Sequence, residues 1–92
     1  MELLVVEVEA DSTRRTAFVV RCHAGTLRVD DTLTAAVDPS GTSHDIDARC
    51  LSIRLHSAIP ADELATNFGG LVTLEAPNLS AIGADWLLRT ER

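Results

Sequence analysis

The chain has 92 residues, 8 arginines and no lysine against 14 carboxylates, and a formal net charge of −6. At 46% hydrophobic and 24% charged it has the composition of a globular protein, which excludes a disordered or fibrous chain. Its length predicts one domain spanning 1–92, able to bury about two thirds of its unfolded surface without metal or disulfide staples.

Charge and distribution narrow the role further. The arginines lie at 14, 15, 21, 28, 49, 54, 89 and 92, with no segment rich in both arginine and aromatics. Nucleic-acid binders gather cations on one face and stack bases on aromatic rings, so this pattern argues against a nucleic-acid partner. The apolar run Leu3-Leu4-Val5-Val6 is far short of the ~20 residues that span a bilayer, and Met1-Glu2 lacks the positive start of a secretory signal. A cytoplasmic chain with no membrane role is expected. Cys22 and Cys50 show no C-x-x-C spacing and are expected to be apolar fillers in a reducing compartment.

The hydrophobic period is two nearly throughout, which predicts strands. Residues 2–10, ELLVVEVEA, form the first, with Leu4, Val6 and Val8 inward and Glu7 and Glu9 in water. Thr16 to His23 is the second, with Phe18, Val20 and Cys22 inward. Ala24-Gly25 breaks it, because glycine accepts the positive φ of a tight turn. Thr26 to Val29 forms a third strand, Asp30-Asp31 a turn, and Thr32 to Val37 a fourth. Residues 38–45, DPSGTSHD, form a polar loop expected to be a mobile hairpin tip.

The longest strand is Ile46 to Ser57. Alternation puts Leu51, Ile53 and Leu55 on one face and Cys50, Ser52, Arg54 and His56 on the other, so Cys50 points outward and does not meet Cys22. Pro60 followed by Asp62-Glu63 suits the start of a helix, and 59–65 is expected to be a short helical turn. Leu71 to Ala76, with Val72 and Leu74 inward, and Ala84 to Thr90, around Trp86 and Leu88, complete an all-β set. Six to seven short strands fit a barrel or a sandwich.

Phe18 to Leu33, FVVRCHAGTLRVDDTL, resembles the hairpin of the second domain of translational GTPases of the elongation factor Tu type. That family shows Gly, two hydrophobic residues, a basic residue, Val, Gly, Asp, any residue and Leu. Gly25 to Leu33 follows this pattern, with Asp30 where the family has glycine. ATNFGGLVTL from Ala65 and IGADWLL from Ile82 resemble later family segments in the same order. The resemblance implies a small closed antiparallel β-barrel of six to seven strands. In that family the barrel contacts neighbouring domains, ribosomal elements or the acceptor end of aminoacyl-tRNA. A phosphate-cradling loop ends in Lys-Ser/Thr, and a chain without lysine has none, so no GTP, no cofactor and no hydrolysis are expected.

Other constellations have plainer explanations. Ser43-His44-Asp45 is contiguous, whereas triad members converge from separate elements. His56 and Cys50 lie about 20 Å apart along one strand, too far to share an ion, although a His23–His56 pair on neighbouring strands is geometrically open. Asp30-Asp31 and Asp62-Glu63 fit turn and helix-start chemistry. Trp86 and Phe68 offer either an aromatic patch or a buried closing ring.

No catalytic or metal residues are assigned. The candidate binding surface is the outward face of the long strand, with Arg49 or Arg54, Ser52, Cys50 and His56 beside the 38–45 loop, and Arg28 of the third strand is added to the candidate binding residues. A non-catalytic protein-binding or regulatory module is expected, its −6 charge favouring a basic partner. Edge strands offer a route to β-augmentation or homo-oligomers. The alternatives are an RNA- or ribosome-binding module, which needs Arg21, Arg28, Arg49 and Arg54 on one face, and a small enzyme with His23 or His56 beside an acid.

Overall fold

The computed structural model describes residues 1–55, 59–77 and 79–90. Among these residues nine strands form in chain order: β1 (Glu2–Asp11), β2 (Arg15–Ala24), β3 (Thr26–Arg28), β4 (Thr32–Val37), β5 (Ser43–Leu55), β6 (Ile59–Ala61), β7 (Glu63–Ala65), β8 (Gly69–Glu75) and β9 (Leu87–Arg89). The main sheet runs β4-β9-β1-β2-β8-β5-β6, every pair antiparallel, and β4 also pairs with β5. That last pairing closes six strands into a barrel, with β6 hanging from β5 as an extra strand. β3 and β7 form a separate ribbon that contributes Leu27 and Leu64 to the core.

Alternation explains the interior. Phe18, Val20 and Cys22 of β2 and Val72 and Leu74 of β8 all point inward, as their spacing predicts. Ala76, Leu79 and Ile82 join them from the segment between β8 and β9. Thr16, at the mouth of the β1–β2 hairpin, is the one buried polar residue among those described, and it donates its hydroxyl to Asp11 Oδ1 at 2.8 Å.

Three expectations are corrected by the backbone. In β1 the buried residues are Leu3 and Val5, not Leu4, Val6 and Val8; Val6 is 51% exposed, and Val8, though on the inward side, is 41% exposed. Register shifts lie between Val5 and Glu7 and between Val8 and Ala10, so Val6 and Glu9 are bulged and each breaks the alternation. Val8 faces Phe18's side of the sheet but stays part-exposed. In β5 a shift between Cys50 and Ser52 leaves Leu51 bulged, so Cys50 points inward and is fully buried. Both cysteines are free, as expected.

The helical turn expected over 59–65 is absent. Ile59–Ala61 pairs with Ile53–Leu55, and Glu63–Ala65 pairs with Thr26–Arg28. So short a stretch gains little from helical nucleation, whereas pairing buries Leu64 completely. Pro60 is tolerated because β6 is an edge strand, where the missing N–H costs no ladder bond on its outer side.

Positive φ marks the turns. Gly25 has φ 75°, and Asp30, standing where the resembled family has glycine, has φ 76°. Aspartate tolerates this left-handed conformation better than most residues.

Two adjacent glycines in β8 differ in what they do. A Cβ on Gly70 would sit 2.8 Å from the Arg54 carbonyl oxygen, closer than real contacts come, whereas one on Gly69 would meet only the Val20 carbonyl at 3.4 Å. Gly70→Ala is therefore expected to destabilise the fold by about 1–3 kcal/mol. Gly69→Ala should stay within about 0.5 kcal/mol of the parent. Urea unfolding of the two variants measures the contrast, and equal costs would refute it.

Candidate functional site

β2, β8 and β5 lie side by side, and register fixes which residues share the outer face. Arg54 lies opposite Leu71, Leu71 opposite Val19, and Val19 opposite Glu7, giving one rung across four strands. On the next rung Arg21 lies between Leu4 of β1 and Gly69 of β8. Because Gly69 has no side chain, the face is hollow there. The result is a mainly apolar groove of about 420 Å³, floored by Val19, Leu71 and the two glycines and flanked by Val6, Leu55, Arg21 and Arg54. Next to it, sharing Leu55, a smaller hollow of about 170 Å³ is bordered by Leu64, Ala65 and the exposed ring of Phe68.

The arginines divide into two groups. Arg28 lies 3.5 Å from Glu63, Arg49 3.9 Å from Asp30, Arg15 3.6 Å from Glu75 and Arg89 3.9 Å from Glu2. Among the described residues, Arg14, Arg21 and Arg54 have no carboxylate partner, and the last two share the groove. Of the expected binding surface, Arg54 lines the groove, and Ser52 is half-buried on the same strand. Arg28 and Arg49 are exposed but lie in separate ion pairs. His56 lies outside the described residues, as does the His23–His56 pairing; His23 Nδ1 is 4.0 Å from Glu2. The alternation within 46–57 exposed Arg54 but gave no sign of Arg21, Val19 or Gly69, which come from two other strands.

The Ser43-His44-Asp45 segment belongs to β5, not to a loop, and pairs with Val37, Ala36 and Ala35. Its neighbours alternate sides, so the three do not converge. His44 instead donates from Nε2 to Asp38 Oδ2 at 2.9 Å and packs on Trp86 with ring centroids 5.3 Å apart. Trp86 is half-buried against the core and makes no pair with Phe68.

The mobile tip expected over 38–45 is confined to 38–42, since β5 begins at Ser43, and Asp38 organises it. Its Oδ1 accepts from the backbone N–H groups of Ser40 at 2.9 Å and Thr42 at 3.0 Å, and from the Ser40 hydroxyl. These bonds, the one to His44 first and Ser40 next, hold its carboxyl well below the usual carboxylate range. A lowered carboxyl stabilises the native state above its unfolded value and loses that contribution as pH falls through the native one. Asp38→Asn should therefore speed amide exchange of the tip at neutral pH, and the difference from the parent should vanish on acidification well below pH about 4. A difference that persists in acid would refute this role.

A third hollow of about 710 Å³ is polar, with Asp30, Asp31, Thr26, Thr32 and Thr90 among its walls and no histidine. Turn chemistry accounts for its acids: Asp31 Oδ2 accepts from the Arg28 N–H at 2.8 Å, and the Asp30 N–H donates to the Cys50 carbonyl at 2.8 Å. Among the described residues no three His, Cys, Asp or Glu side chains gather as metal ligands.

Burial, with Asp31 and Asp30 nearby, pushes the Cys50 thiol up from the ordinary 9.0 to about 11. Desolvation also raises Cys22. A thiol raised in the native state contributes stability below its unfolded pKa and loses it as pH rises through the native value. Native protein should resist thiol reagents and lose stability between pH 9.0 and about 11. Cys50→Ala should flatten that decline in urea titrations; an unchanged slope would refute the assignment.

No family model matches the chain, and no curated protein matches it in sequence. Among solved structures it superimposes on apo translation elongation factor SelB from Methanococcus maripaludis with a TM-score of 0.76 at 13% identity. The match covers 98% of this chain and 18% of that one. At such identity the likeness shows the fold alone: a closed antiparallel β-barrel, as the Phe18–Leu33 resemblance implies. Among the described residues no helix is long and apolar enough to cross a membrane.

Proposed function

We propose that this chain is a non-catalytic docking module, a translation-factor-type barrel whose partner is a protein. The observation that carries the reading is the apolar groove across β2, β8 and β5. Half-exposed side chains such as Val6, together with Val19 and Leu71, gain free energy when a partner removes them from water.

Electrostatics favour protein over RNA as the occupant. Of the four arginines that an RNA face needs, only Arg21 and Arg54 line the groove, while Arg28 and Arg49 stand beside carboxylates that offset their charge. Polyphosphate approaching a chain of net charge −6 meets a net repulsive field. A partner with a basic surface around the contact is drawn in by the same field. Self-association through the sheet edge is a weaker route, because β6 is only three residues long and carries Pro60.

Capture from native lysate, with and without nuclease, tests the reading. A protein partner should be retained after nuclease treatment and lost at least about tenfold by Val6→Asp, which alters an exposed side chain and spares the core. Recovery that depends on intact rRNA or tRNA would overturn the reading.

A further inference from the structure

We infer that the groove receives an extended segment of another protein that carries one carboxylate beside an apolar side chain; this rests on the docking reading above and specifies its ligand. Three independent observations converge on it.

First, Arg21 and Arg54 flank β8 from opposite sides, on β2 and β5, with Gly69 and Leu71 between them. Neighbouring strands are about 4.8 Å apart and the two arginines sit one rung (~6.7 Å) apart along them, so the two long side chains rise roughly 12 Å from each other over the floor, within reach of one shared anion. Guanidinium groups suit this, since each presents a planar fork of donors to a carboxylate.

Second, neither arginine has a carboxylate partner among the described residues, although the chain holds 14 carboxylates to 8 arginines. Arg15, Arg28, Arg49 and Arg89 all find one. Glu7, the nearest acid on the Arg54 rung, lies three strands away at the β1 border.

Third, Gly69 is unexplained by packing. The Arg54 carbonyl forbids a side chain at Gly70, but nothing comparable crowds position 69. A side chain there would fill the floor between the arginines, so its absence keeps open a space that the fold does not require.

The groove is small and its walls are apolar, which suits one or two aliphatic side chains more than a string of charges. Two arginines answer one anionic group. The remaining charge of the chain opposes a second and a third, which separates a single carboxylate in a peptide from a phosphodiester chain.

The test titrates the intact 92-residue chain with acetyl-Leu-Glu-Leu-amide, acetyl-Leu-Gln-Leu-amide, acetyl-Ser-Glu-Ser-amide and a 5′-phosphorylated CCA trinucleotide, followed by amide chemical shifts. The Leu-Glu-Leu peptide should move the amides of Val19, Arg21, Arg54 and Leu71. The Gln and Ser peptides should each bind at least about tenfold more weakly, the effect of one lost charge-assisted hydrogen bond or one unburied side chain. Arg21→Gln with Arg54→Gln, both exposed positions, should erase the difference between the Glu and Gln peptides while leaving the shift pattern of the fold intact. Gly69→Val should weaken every peptide without unfolding the barrel. The inference fails if millimolar Leu-Glu-Leu leaves the groove amides still, if Gln binds as well as Glu, if the trinucleotide binds best, or if the groove proves covered by a second copy in sedimentation. A lysate partner that survives nuclease and is lost in Val6→Asp would still uphold the docking reading where the peptides fail, so the two can fall separately.

Discussion

The whole structure depends on β4 pairing on both of its edges, with β9 through Ala35–Val37 and with β5 through Thr32–Val37. Without the second pairing the sheet is open, and its inner face is half of a core with nothing to cover it. With it, the inward side chains of six strands face one another across a common axis and exclude water. The cost is geometric. A closed sheet this small must bend sharply, and the residues that line it include small ones, such as Ala36, Ala48, Cys22 and Cys50, all fully buried.

Bending is achieved by bulges, and the bulges decide more than curvature. Val6, Glu9 and Leu51 each occupy an extra position, and every side chain beyond such a residue changes sides. The bulge at Leu51 turns Cys50 into the core, where burial suppresses its ionisation. The bulge at Val6 releases an apolar side chain from the core phase and delivers it to the border of the outer groove. One device thus shapes the barrel and furnishes the surface on which a partner is proposed to sit.

That surface is an exception to the electrostatic character of the chain. Elsewhere carboxylates cap turns or face arginines: Asp38 gathers the β4–β5 tip and holds His44 against Trp86, and Asp31 satisfies the Arg28 N–H. Within the groove over β2, β8 and β5 the outer side chains are mainly aliphatic or absent, and Arg21 and Arg54 have no carboxylate partner among the described residues. The contrast, more than the size of the groove, singles it out.

Much of this was legible in the residues themselves. Period-two alternation located β2 and β8 with their inward sets, and the span of β4, because in β2 and β8 the core-lining stretch alternates without a bulge. The Gly25–Leu33 pattern pointed to the barrel family, and Asp30 shows why: the turn needs a left-handed residue, whichever side chain supplies it. Leu3 to Val6 carries no polar residue to mark a face, so its phase had no local signal. Extrapolation from Glu7 and Glu9 crossed a bulge and came out reversed. Ile59–Ala65 has local cues for a helix, but its backbone was claimed by partners 4 to 39 positions earlier in the chain. The site divides the same way: Arg54 was visible on its own strand, while Arg21, Val19 and Gly69 became its neighbours only when β8 paired with β2 on one side and β5 on the other. Local alternation determines which residues are able to face inward together; closure, which joins strands distant in sequence, decides which outward residues become neighbours.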